Sequence, residues 1–170
     1  MSIGEGINSP QKFRYKSPFP PLHEACKTGN VPAVKYWISE NVSLEEKNSD
    51  GNTPLHLASK KGHVEVAKLL IKQGVDLEKK DGYGRKKGYE RRTPLHLACR
   101  KGHVEMVKLL IEAGAQLEEK NQMGSTPLHL ASSRGYIEIV KLLSNQPSIN
   151  LDAKDDVGRT SFHWTSKAVD

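Results

Sequence analysis

The sequence predicts an all-α repeat protein, a solenoid of stacked antiparallel helix pairs joined by projecting turns. Three observations carry that reading. The tetrapeptide Thr-Pro-Leu-His begins at Thr53, Thr93 and Thr126, with weaker versions beginning at Pro20 and Thr160, so the spacings are 33, 40, 33 and 34 residues. A fixed period of that size is the mark of a repeat architecture. Apolar residues after each motif recur at helical spacing. Aromatics make up only 6% of the 170 residues, which suits a series of small, similar layers better than one large aromatic-rich core.

Each element has a local cause. Residues 1–19, rich in Gly, Ser and Pro, read as a flexible tail that could lay Phe13, Tyr15 or Phe19 on the first repeat. The repeat domain then runs over 20–170, as repeats 20–52, 53–92, 93–125 and 126–159 and a half-repeat 160–170. In each full motif the threonine caps a first helix, and the proline after it loses no hydrogen bond at the first helical position. The first repeat has no such threonine, and Glu24 stands where Leu57 and Leu97 stand later, as suits an outward-facing cap. Gly29, Gly62, Gly102 and Gly135 end the first helices in left-handed form. In the second helix of repeat two, Val66, Ala67, Leu70 and Ile71 share an inward face while Glu65, Lys68 and Lys72 meet water. Gly74 and Gly114 stop the second helices, with Asn41 as the left-handed residue in repeat one. Polar turns at 48–52 and 121–125 lead back to the next threonine. The half-repeat puts Phe162 and Trp164 in place of leucines and has no second helix. Either these aromatics seal the stack, or the chain is a piece of a longer array; the second reading is preferred.

These residues closely resemble the ankyrin repeat, whose T-P-L-H-x-A, G-H and L-L-x-x-G-A signatures recur across residues 20–170. The resemblance implies an ankyrin-repeat solenoid of about four full repeats plus a C-terminal half-repeat. Its β-turn or hairpin loops would project to one side, and a concave face would be formed by loops and first helices. It also implies histidines that hydrogen-bond within and between repeats, and a protein–protein interaction module or scaffold. The D-V-N context that is open to asparagine hydroxylation in many ankyrin repeats is absent, since Glu45, Glu78, Glu118 and Asp152 occupy the matching places.

No enzyme is expected. The seven histidines all fall on motif positions, and equivalent residues of stacked units stand roughly 8–10 Å apart, too far to share a metal ion. Cys26 and Cys99 occupy a position held elsewhere by Ser59 and Ser132, so they read as small packed residues. The threonine beside each histidine is a helix cap, not a nucleophile with a base and an orienting acid. Gly82, Gly84 and Gly88 do not have nucleotide-loop spacing. No catalytic residue, metal or cofactor is expected. No apolar run is long enough to span a bilayer, and the polar N-terminus does not read as a secretory signal. With two cysteines, this places the protein in the cytoplasm, or alternatively the nucleus, and a monomer is assumed.

Charge supplies the functional hint. Residues 79–101 hold nine Lys or Arg against Asp81 and Glu90, a local charge of +7 in a chain of +6, so the remainder carries −1. The 40-residue spacing marks a seven-residue insertion, placed at 86–92. At the ends of the first helices stand Lys27-Thr28, Lys60-Lys61, Arg100-Lys101 and Ser133-Arg134, six of eight being cationic. Such pairs and the loop tips are common contact positions in ankyrin repeats. The expected partner site is therefore a basic groove formed by Lys27, Lys60, Lys61, Arg100, Lys101 and Arg134. The loop would add Tyr83, Arg85, Lys86, Lys87, Tyr89, Arg91 and Arg92, and Met123 an apolar contact. The partner would be an acidic or phosphorylated protein segment, with nucleic acid or anionic lipid as the alternative. A nuclear-import signal in 79–87 is a weaker reading, and the bland one is a tolerated, solvated loop.

Overall fold

A threonine, a proline and a histidine start the first helices of repeats two, three and four. Thr53 and Thr93 lie in extended backbone and accept hydrogen bonds from the backbone N–H of His56 and His96. Such a cap is worth about 1 kcal/mol. The histidine ring reciprocates: Thr53 N–H donates to His56 Nδ1 at 3.3 Å and Thr93 N–H to His96 Nδ1 at 3.2 Å. Thr126 N–H and His129 repeat the contact at 3.2 Å. With Nδ1 accepting, the proton sits on Nε2.

The computed structural model describes residues 21–82 and 90–165. The predicted tail and its docking aromatics lie outside the described residues. Within them the first helices are α1 (Leu22–Thr28), α3 (Pro54–Lys61), α5 (Pro94–Lys101), α7 (Pro127–Ser133) and the short α9 (Ser161–Thr165). The second helices are α2 (Val31–Ser39), α4 (Val64–Lys72), α6 (Val104–Glu112) and α8 (Ile137–Ser144). Each first helix packs on the next first helix, and each second helix on the next second helix, giving two parallel rows. Leu55, Leu95 and Leu128 of the first row meet Leu70, Leu110 and Leu143 of the second in one continuous core. Fully burying one such leucine stabilises by roughly 1.5–3 kcal/mol.

Polar rungs hold the stack in register. The motif histidines reach forward, His56 Nε2–H donating to the Arg92 carbonyl, His96 to Ser125 and His129 to Arg159, each at 3.0 Å. A second set reaches back, from His63 to the Lys27 carbonyl at 3.0 Å and from His103 to that of Lys60 at 3.1 Å. Tyr136 holds the third place in that set, its ring against Gly102 as the His63 and His103 rings lie against Gly29 and Gly62. On the far side the carboxylates of Glu45, Glu78 and Glu118 accept from the backbone N–H of Asp76, Gln116 and Asn150 in the following repeat, at 2.6, 2.8 and 2.9 Å. Lys80 and Lys120 donate to the Lys120 and Lys154 carbonyls at 2.9 and 2.8 Å. A net contribution of about 1 kcal/mol per bond matters less than the alignment they impose. Equivalent residues of successive repeats stand side by side.

The small positions behave as expected. Cys26 and Cys99 are free and fully buried, and burial pushes the Cys26 thiol up to about 12. Ser59 and Ser132 fill the same slot in the other repeats. In the half-repeat the Trp164 ring takes the Arg159 guanidinium over its face at 3.9 Å and donates its indole N–H to Asp155 at 3.3 Å. Phe162 stands where Leu55, Leu95 and Leu128 are covered by second helices. No second helix follows α9 among the described residues, and Phe162 is 80% exposed.

Candidate protein-binding surface

The ends of the first helices carry the cations. Lys60 and Lys61 close α3, Arg100 and Lys101 close α5, and Arg134 follows α7. The back-reaching histidines bond the carbonyls of Lys27 and Lys60, so these helix ends are tied repeat to repeat. The sequence places these residues in line, and the rungs keep them there. Lys61, Lys101 and Arg134 are exposed and Lys60 is half-buried. Among the described residues none of these four is in an ion pair, whereas Lys27 meets Glu24 at 3.4 Å in an exposed pair one helical turn long. Such exposed pairs contribute little.

Arg100 is different. Its guanidinium binds the Glu90 carboxylate at 3.1 Å. Glu90 also holds Arg92 at 3.2 Å, and Arg92 in turn grips Asp81 with Nη2 at 2.8 Å and Nε at 2.9 Å. A wall of free cations was expected here. Instead Glu90 and Asp81 neutralise two of its members, because Glu90 lies against Arg100 at the end of α5.

Arg92 also corrects the placement of the insertion. Every turn opens on an Asn or Asp whose side-chain oxygen accepts the backbone N–H of the residue just before the threonine position. Asn48 receives Asn52 at 3.0 Å, Asn121 receives Ser125 at 3.0 Å and Asp155 receives Arg159 at 2.9 Å. Asp81 receives Arg92 at 2.6 Å and returns its own N–H to the Arg92 carbonyl at 2.8 Å. Arg92 therefore closes the turn, and the seven extra residues lie between Gly82 and Arg92 rather than at 86–92. Nor is the insertion wholly dispensable to the stack, since the Glu90 carbonyl accepts the Gln122 N–H at 2.8 Å. Its counterparts are Gly82 N–H on the Gly51 carbonyl and Asp156 N–H on that of Met123. The Asx residue at the head of all four turns was the legible signal for Asp81; for Glu90 the sequence held none.

Of the remaining predicted contacts, Met123 stands at a turn tip and is 60% exposed. Arg91 is half-buried, with φ of 51°. Tyr83, Arg85, Lys86, Lys87 and Tyr89 lie outside the described residues. Burial moves the histidines away from charge: it drops His96 to about 4, against the opposing hydrogen bond to the Ser125 carbonyl, and lowers His56 in the same way. These rings are structural at neutral pH. Asp155 is pushed up by burial, but Arg159 and the Val157 N–H together hold it below its ordinary value.

The family model described as ankyrin repeats (3 copies) matches residues 4–81 and again residues 82–164. The chain belongs to the ankyrin-repeat family. Ankyrin repeats are generic protein–protein interaction modules, and the capped helix pairs, histidine rungs and projecting turns of this chain are those of an ankyrin stack. A comparison with curated proteins returns no match. Among the described residues no three His, Cys, Asp or Glu side chains are grouped to hold a metal ion, and no helix is long and apolar enough to cross a membrane.

Proposed function

We propose that this ankyrin stack is a non-catalytic scaffold whose first-helix ends take an acidic or phosphorylated protein segment. One observation carries the reading: Lys60, Lys61, Lys101 and Arg134 recur on adjacent helix ends held in register, with no carboxylate bound to them among the described residues. Lys27 extends the row by one repeat. Arg92 and Arg100, tied to Asp81 and Glu90, act as struts between that turn and the end of α5. Cations in a last turn also favour the helix dipole, yet two in a row on α3 and α5 exceed what a dipole requires. Each exposed contact is worth ~0–1 kcal/mol, so affinity comes from several cations acting together with an apolar anchor such as Met123.

Fluorescence anisotropy with a labelled Asp/Glu-rich peptide tests this. Binding should weaken in a Lys61→Gln, Lys101→Gln, Arg134→Gln variant that unfolds at the wild-type temperature. A random single-stranded oligonucleotide that binds more tightly than the peptide, with a steep logarithmic salt slope, would reverse the assignment.

A further inference from the structure

A second basic feature lies beside the inserted loop. Arg91 lines a cavity of about 340 Å³ together with Lys80, Lys120, Asn121 and Gln122. Glu90, Arg92 and Arg100, which bind one another, are not part of its described wall. None of Lys60, Lys61, Lys101 and Arg134 lines it either. The cavity is thus separate from the helix-end row and does not depend on the function proposed for it.

Its chemistry is one-sided. Three cations line it, and the carboxylate in direct contact with them among the described residues is Glu119, which holds Lys80 at 2.8 Å, while Glu78 acts on Lys80 from further off. The described cavity therefore keeps a net charge of +2. Lys120 spends one ammonium hydrogen on the Lys154 carbonyl at 2.8 Å and has two to spare. Lys80 is fixed by Glu119 and by the Lys120 carbonyl at 2.9 Å. Arg91 is in no ion pair among the described residues and holds a φ of 51°, a left-handed value uncommon for arginine. Asn121 accepts the Met123 and Ser125 N–H groups on Oδ1 at 2.9 and 3.0 Å, which leaves Nδ2 buried without a partner. These features suit an oxyanion: a fixed Lys80, unspent donors on Lys120 and a guanidinium in no ion pair among the described residues.

We propose that this cavity binds a dianionic phosphoryl group. A phosphomonoester carries roughly −1.5 to −2 charges at neutral pH, matching the surplus, where a lone carboxylate would leave half of it unmet. Arg91 supplies a forked pair of donors, and Lys80 and Lys120 act as point charges beside it. The group is that of a phosphorylated side chain or of a small phosphate ester, two sources with one recognition chemistry.

The test is an NMR titration of the isotope-labelled chain with inorganic phosphate, chloride being exchanged to hold ionic strength constant. Saturable shifts are expected at the amides of Lys80, Arg91, Asn121 and Gln122. Affinity should fall roughly tenfold in an Arg91→Gln, Lys120→Gln variant. It should also fall between about pH 7.5 and pH 5.5, as phosphate takes up its second proton. A Lys61→Gln, Lys101→Gln variant should titrate like wild type, which separates this site from the helix-end row. Shifts that do not saturate, that chloride reproduces, or that persist unchanged in the Arg91→Gln, Lys120→Gln variant would mean an adventitious ion only and overturn the proposal. Repeating the titration with O-phosphoserine and with a phosphoserine peptide assigns the source. Tighter binding of the peptide points to a protein and equal binding to a small ester.

Discussion

Arg92 closes the turn that Asp81 opens, across the inserted residues: its carbonyl accepts the Asp81 N–H, its N–H donates to the Asp81 carboxylate, and its guanidinium lies on the same buried carboxylate at 2.8 Å. Asp81 is 4% exposed and the Arg92 side chain 17%. Arg159 and Asp155 repeat the pair two turns further on, at 3.0 Å. A pairing that recurs at the same place in two repeats belongs to the fold.

Replacing Arg92 with Ala should therefore destabilise the stack, since Asp81 would be left charged, buried and without its counter-ion. A loss of about 3 kcal/mol is expected in urea unfolding. Replacing the neighbouring Arg91 with Ala should change stability by less than about 0.5 kcal/mol. Equal effects of the two substitutions would contradict the division of labour between them.

Gly51 and Gly74 form a matched pair of left-handed glycines, with φ of 76° and 77°. A Cβ on Gly51 would collide with the Gly82 backbone, whereas one on Gly74 would meet nothing within 4 Å. Gly74→Ala should cost only the conformational strain, ~1 kcal/mol. Gly51→Ala must also push two turn tips apart, so it should cost at least twice as much. Calorimetric melting of the two variants decides this.

Acid should weaken the fold well before carboxylates protonate. His96 is fully buried, its neutral ring bonded at both nitrogens, and burial holds it at about 4 against 6.5 when exposed. Lys80, Asp81 and Glu119 act on it only secondarily. Because its folded value is depressed, the unfolded chain takes up the proton first. The folded state is then penalised progressively as pH falls from about 6.5 to about 4, by ~3 kcal/mol in total. His56 adds to this in the same direction. The depressed Asp155 contributes only at lower pH, its share being lost as pH falls through its folded value. Urea midpoints measured across that range should drop steadily, and the His96 ring carbons should show no titration near pH 6.5.

Much of this was legible because each repeat unit carries its own cause. Thr53 and Pro54 announce a helix start, His56 a cap, and the period between motifs announces the stack. Glu45, Glu78 and Glu118 entered the sequence reading only as replacements for a modifiable asparagine, and only the folded stack brings each carboxylate to the next repeat's backbone. Their recurrence at one repeat position, like that of Lys47, Lys80, Lys120 and Lys154, was the available signal. The pairing of Arg92 with Asp81 could not be read from spacing, because the insertion lengthens that one turn and hides the correspondence with Asn48 and Asn52. Counting cations along the chain overstated the free charge for the same reason: Glu90 is distant from Arg100 in sequence and adjacent to it in space.

The central claim is that register, not total charge, creates the partner-binding face. Charge reversal on each helix row separates the two most directly. One variant carries Lys61→Glu, Lys101→Glu and Arg134→Glu on the first-helix ends; the other carries Lys68→Glu, Lys108→Glu and Lys141→Glu on the second helices, for the same change in net charge. The account predicts that the first abolishes binding of the acidic peptide at near-physiological salt and that the second leaves it within about twofold of wild type. Equal losses in the two variants would contradict it.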